Sequence, residues 1–343
     1  MLIIRLYKQH ISFKLNILAV AFTGILLLLL ISILLLSLIN GTYQLSLQDA
    51  LLSLFSQKQL ISDPQASLII WDFRLPRSLV AILSGALFAI SGAILQNMTR
   101  NPLSDPSLVG ISQGAALAVV VLTILFPEYI DDWREISAFL GAILIASLIQ
   151  LLRGKGRPLK FILLGIGVAA FISAIISTLL TYGNLQSAMT ALSWLAGSVH
   201  NSNWHDVSIL GVACLILTFA GIYQARVMSV ISLGDEVTIG LGINLRKTMV
   251  IQLSISVAAA AIATSVVGPL GFIGLLAPHL ARKLTHSGPA NHLLLTALTG
   301  AILVLIADLI GRTLFAPTQL AAGLVTSLVG APLFAYLLIK KQT

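Results

Sequence analysis

Apolar residues run almost unbroken for about 20 positions at a time along this chain, then give way to short stretches of Gly, Pro and charge. Runs of that length match the span of a helix across the hydrocarbon core of a bilayer. Neither the alternation of a half-buried strand nor the one-sided stripe of a soluble helix recurs. Ten such segments are predicted, near 16–38, 76–96, 108–126, 136–152, 160–182, 206–224, 247–267, 270–284, 292–311 and 320–339. The eighth is short and rich in Gly and Pro. The reading is an all-α, polytopic membrane bundle, and with no long polar linker residues 1–343 form a single domain.

Composition agrees. The chain is 57% hydrophobic and 9% charged, against roughly 25% charged in a soluble domain. A net charge of +8 raises nucleic acid as a partner, but the charges are scattered through short loops. Placing both termini in the cytoplasm gives 15 Lys or Arg on the inner side and five outside (Lys58, Arg74, Arg77, Arg134 and Arg312). That bias is the positive-inside rule, and nucleic acid is set aside. The first run is too long for a signal peptide and is expected to be retained. Cys214 is single and lies in an apolar run, so it reads as a core filler.

Candidate chemistry narrows the picture further. Gly165 to Ala170 has dinucleotide-fingerprint spacing but no preceding strand, and residues 153–156 lack what a phosphate loop needs. His279, His286 and His292 are spaced too irregularly for a helical metal pair and are expected in loops or caps. No catalytic, cofactor or metal site is predicted. Gly85, Ala89, Gly92 and Ala93 recur at helical spacing and predict close helix packing, while Gln96 beside them is expected to face the bundle or a pathway. Asp308 and Arg312, four residues apart, share a helix face and suit a structural ion pair. The alternative is a cation site on Asp308 in a secondary transporter.

Two polar segments stand out. Arg100 to Ala115 carries Asn, Asp, Ser and Pro between two apolar runs, and such a loop cannot lie against lipid. Residues 226–246 are too polar to span, and Leu233, Gly234, Asp235, Glu236, Leu241 and Gly242 lie in a glycine-broken amphipathic stretch suited to a groove on a soluble partner.

Arg74-Leu-Pro-Arg77, Gly85, Ser91-Gly92, Gln96, Asn101-Pro-Leu103, Asp105-Pro106, Gly110-Ile-Ser112 and Gly114-Ala115 together resemble the FecCD permeases. The likeness continues through Trp194-Leu-Ala-Gly197, Leu233-Gly-Asp235, Leu241-Gly242, Phe272-Ile-Gly-Leu275, Pro278-His279, Arg282, Ala307-Asp308, Arg312 and Gly330-Ala-Pro332. Gln319-Leu-Ala321 departs from it, standing where Glu-(Leu/Ile)-Pro is usual, as does Leu293 after Asn291-His292. The resemblance implies a type II ABC importer permease fold in a bacterial inner membrane, surrounded by lipid. It implies a non-catalytic subunit, half of a pathway for an iron–siderophore, haem or cobalamin. The implied partners are a second permease, identical or paralogous, two cytoplasmic ATPases and an extracytoplasmic solute-binding protein. Along the pathway it implies Gln96, a cytoplasmic gate at Asn101 and Leu103, and a bend at Gly183, Asn184 and Leu185. Residues 229–242 would couple to the ATPases. For Arg74, Arg77 and Arg312, guanidinium groups that suit carboxylates, the expectation is docking of the binding protein.

Overall fold

The computed structural model describes residues 2–6, 11–15, 17–41, 43–55, 65–107, 110–153, 158–285 and 287–340. A small antiparallel hairpin comes first, β1 (Leu2–Leu6) on β2 (Ile11–Leu15), with Leu2 opposite Leu15. Among the described residues, every element after it is a helix. In order follow α1 (Ile17–Ile39), α2 (Leu47–Leu54), α3 (Ala66–Leu68), α4 (Leu75–Thr99), α5 (Ile111–Leu125), α6 (Ile130–Arg153) and α7 (Pro158–Tyr182). The second half holds α8 (Leu185–Leu195), α9 (Trp204–Ile231), α10 (Asp235–Gly240), α11 (Leu245–Val267), α12 (Ile273–Leu284), α13 (Pro289–Thr313) and α14 (Ala322–Lys340). Ten of these, α1, α4 to α7, α9 and α11 to α14, fall on the ten expected spans.

Burial sorts the helices by role. α4, α11 and α13 are mostly enclosed, whereas α1, α7 and α9 show most of their apolar surface to the surroundings. Lipid tails are as apolar as Leu, so the inner contacts rest on close backbone approach. Gly85 and Gly300 supply one, because a Cβ on Gly85 would lie 2.4 Å from the Gly300 carbonyl oxygen. At Gly92 a Cβ would come within 1.9 Å of the Gly274 oxygen, so α4 passes α12 backbone to backbone. The small residues of α4 are therefore packing residues, as their spacing predicts.

Three departures from expectation have physical causes. α4 does not begin near 76: α3 runs through a π-helical stretch, Ile69–Arg74, into it, giving one helix over 66–99. Pro76 stays within this helix because wider π-type hydrogen bonding around it tolerates the missing N–H. α12, with 12 residues, is about 18 Å long at the α-helical rise and cannot cross the core alone. Residues 268–272 feed it as non-helical backbone packed against α8 and α14, the setting in which such backbone survives in a membrane protein. His279 and His292 lie inside helices, in α12 and the first turn of α13, rather than in loops. His286 and residues 154–157 lie outside the described residues.

Candidate functional site

Three clusters gather the residues singled out in the sequence. The first is at the end of the bundle where α1 finishes and α4 begins. Arg77 forks onto Asp308, with Nη2 donating to Oδ1 at 2.7 Å and Nε to Oδ1 and Oδ2 at 3.0 and 3.1 Å. Arg312 stands on the other side of the same carboxylate, its Nε 3.6 Å from Oδ2, and donates to both oxygens of Ser37. Arg74 donates through Nη1 to the Leu38 and Ile39 carbonyls at 2.6 and 2.8 Å and through Nη2 to Tyr43. Leu38 and Ile39 are the last residues of α1, so Arg74 caps carbonyls that a helix end leaves without donors, and its charge faces the negative end of the helix dipole.

This geometry corrects the docking expectation. Arg74, Arg77 and Arg312 are 6%, 9% and 4% exposed, and their guanidinium groups are turned to partners inside the chain. Their targets are the end of α1 and Asp308. Asp308, 1% exposed, makes the expected pair with Arg312 and a closer one with Arg77 that no local spacing announces.

Arg77 also reaches outward. Its Nη1 donates to Gln319 Oε1 at 2.8 Å and lies 2.9 Å from His200 Nδ1. A guanidinium has only donors, so Nδ1 accepts and the ring is neutral there. Desolvation, and then the Arg77 charge, lower the His200 pKa below the ordinary imidazole value. These residues edge a cavity of about 920 Å³, whose other walls include Thr123, Ser193 and Ser198. α8 borders it, and Gly183 and Asn184 set α8 off from α7. A Cβ on Gly183 would press to 2.7 Å from the Leu179 oxygen, and the Asn184 side chain caps α8 by accepting from the Gln186 N–H at 2.8 Å. Leu185 follows, exposed.

The second cluster lies at the other end of α4. Gln96, 2% exposed, donates to the Gly274 and Leu275 carbonyls at 3.3 and 3.4 Å and accepts from Arg282 Nη2 at 2.6 Å. It faces the bundle, as expected, and fastens α4 to both ends of α12. Beyond it the chain turns: Asn101 Oδ1 accepts from the Leu103 N–H at 3.0 Å, and Leu103 itself is exposed. Asp105 was legible only through the resemblance. It is buried, accepts from the Ser107 N–H at 2.7 Å and from the Ser107 hydroxyl at 2.5 Å, and also takes the Leu275 N–H in the first turn of α12. Burial raises its pKa, against those three hydrogen bonds.

The third cluster is α10. Gly234 enters it at φ 122° and Gly242 leaves it at φ 77°, backbone that side chains other than Gly rarely adopt. Asp235 and Glu236 lie in its first turn, where the dipole favours acids. Leu233, Val237, Ile239 and Leu241 all point outward, between 44% and 66% exposed. Only Thr238 turns in, its hydroxyl donating to the Gly234 carbonyl at 2.6 Å.

A family model described as the FecCD transport family matches residues 10–340. The chain belongs to that family. Among FecCD relatives, the achromobactin transport system permease protein CbrC of Dickeya dadantii is 37% identical over 339 residues, covering 98% of this chain and 96% of the relative. The Fe(3+)-citrate import system permease protein YfmE of Bacillus subtilis is 41% identical over 280 residues, 80% of this chain and 83% of that one. A solved structure described as an inward-facing metal-chelate type ABC transporter superposes with a TM-score of 0.80 at 27% identity, covering 93% of this chain and 99% of its own. Sequence and fold agree over nearly the whole length: this FecCD protein is a multi-pass ABC-type transport permease.

Proposed function

We propose that the chain is one of two permease subunits of an ATP-driven importer, and that it carries an iron–siderophore or related metal chelate such as haem or cobalamin. Support for the cargo class comes from the near full-length likeness to the achromobactin permease. ATP is hydrolysed by two separate cytoplasmic ATPases, and the substrate arrives on an extracytoplasmic binding protein. The chain needs no cofactor and catalyses nothing. It lies in a bacterial inner membrane with both termini in the cytoplasm.

α10 is the ATPase-docking element in this reading. The observation that carries the assignment is its glycine-bounded turn of helix with four apolar side chains directed outward. Acidic Asp235 and Glu236 at its start argue against an anionic inner-leaflet surface as the resting place of that face. Asn101 and Leu103 form part of a gate on the same side, and the break at Gly183–Leu185 bends the path near its other end. A secondary transporter coupled through Asp308 is disfavoured, because that carboxylate is occupied by Arg77 and Arg312.

The test is co-expression with the genes beside it. An ATPase is expected to co-purify, and its hydrolysis to rise with the binding protein. Leu241→Asp, which puts a charge on the apolar face, is expected to weaken that association about tenfold or more, as the loss of a well-buried apolar contact does at an interface. Uptake that persists without the ATPase and follows a proton or sodium gradient would overturn the reading.

A further inference from the structure

Arg100 turns α4 into the loop that holds Asn101 and Leu103. Its backbone is left-handed, at φ 52° and ψ 28°, and its N–H closes α4 on the Asn97 carbonyl at 3.2 Å. Glycine is the residue that takes this cap position without steric cost, so backbone capping does not explain a long cationic side chain here. The side chain goes elsewhere. Nε donates to the carbonyl of Ile231, the last residue of α9, at 2.8 Å, and Nη2 donates to the carboxylate of Asp235, the first residue of α10.

One guanidinium thereby joins the end of α4 to the turn between α9 and α10, more than 130 positions along the chain. As a stability device the ion pair is weak. Arg100 and Asp235 are partly exposed, 36% and 46% at their side chains, and such pairs contribute about 0–1 kcal/mol. What the contact fixes is relative position. The loop beyond Arg100 is internally braced: the Asn101 N–H donates to the Gln96 carbonyl at 3.2 Å, the Ser104 N–H to the Asn101 carbonyl at 3.1 Å, and the Thr99 and Ser104 hydroxyls share a 2.7 Å bond. A shift at Arg100 therefore reaches Leu103 without being absorbed on the way. α10, by contrast, joins the chain through two glycines at positive φ, the residue with the widest choice of backbone angles, so a tilt of α10 would be taken up there.

We infer that Arg100 is a positioning residue, a latch through which displacement of α10 is passed to the loop 101–104. The inference rests on the reading of α10 as the ATPase-docking helix. It adds to that reading a physical route from the docking face to the Leu103 side chain.

The experiment needs no knowledge of the chelate. In the assembled transporter with its ATPase in lipid nanodiscs, Leu103→Cys is introduced on a Cys214→Ser background, and its maleimide labelling rate is measured without nucleotide and after vanadate trapping. Trapping is expected to change the rate about tenfold, an ordinary size for coupling between sites. Arg100→Asp is expected to abolish the change while the trapped nucleotide and the unfolding midpoint stay as in the parent. Adding Asp235→Arg to Arg100→Asp restores it. Arg100→Lys keeps the charge but loses the fork that reaches two partners at once, and gives a smaller change. The latch is overturned if the parent shows no change, if Arg100→Asp or Arg100→Lys retains all of it, if the exchanged pair does not recover it, or if its loss tracks loss of folded complex. ATPase association of Leu241→Asp tests the docking reading separately, so a failure there is told apart from a failure of the latch.

Discussion

Asp308 is one carboxylate between two guanidinium groups, almost without access to water. Removing one partner of a buried pair leaves the other charge uncompensated, which costs more than the pair contributes. Asp308→Asn therefore strands Arg77 and Arg312, and a loss of roughly 3–5 kcal/mol is expected, read as a lower unfolding midpoint in detergent. Replacing Arg77 with Met together with Asp308→Leu should recover part of that loss, because both charges of the closest pair go together. An Asp308→Asn protein that melts with the parent would show that the carboxylate is not neutralising the arginines. The partnership of Asp308 with Arg312 was legible from a spacing of four. That with Arg77 was not, since the two lie 231 positions apart and only the packing of α4 on α13 brings them together. Arg74 reads as a surface charge for a similar reason: its partners at the end of α1 lie 31 to 36 positions back, and nothing beside it in the chain shows that α1 ends there.

Elements were more legible than contacts. Ten apolar runs announced ten helices, seven of which, among the described residues, are long and apolar enough to cross a membrane, because length and hydropathy alone specify a span. The short helices α2 and α8 were missed for the complementary reason. α8 mixes Gln186, Ser187 and Thr190 with apolar residues over 11 positions, too few and too polar to resemble a span, and α2 is shorter still. The join of α3 to α4 was hidden because Pro76 signals a helix start, whereas here the π-helical stretch carries the chain through it. Packing of α4 on α13 at Gly85 and Gly300 yields a prediction at this scale. A side chain at 85 sets its Cβ 2.4 Å from the Gly300 oxygen, and neither backbone can yield without parting the helices. Gly85→Val is expected to destabilise by about 1–3 kcal/mol or more, the cost of overpacking, with a lower midpoint and less monodisperse protein on size exclusion. A Gly85→Val protein as stable as its parent would mean that the two helices separate freely.

At the scale of the whole molecule, orientation follows from the distribution of Lys and Arg and has a direct check. On the Cys214→Ser background, a cysteine at Glu128 is expected to react with an impermeant thiol reagent on intact cells or spheroplasts, and one at Lys247 only after permeabilisation. The reverse pattern would invert the chain and move α10 to the wrong side for an ATPase. The hold on α1 has a consequence for how such a protein is made. This helix shows most of its surface to the surroundings, sets Leu26 and Ile33 into the core, and is gripped at its far end by Arg74 and, through Ser37, by Arg312, 275 positions later. A ribosome releases Ser37 long before it reaches Arg312, so during synthesis the first span enters the bilayer and must wait there half-tethered. Its final seating belongs to the last stage of biogenesis, when α13 arrives, and a nascent chain stalled before Arg312 would hold its first helix by Arg74 alone.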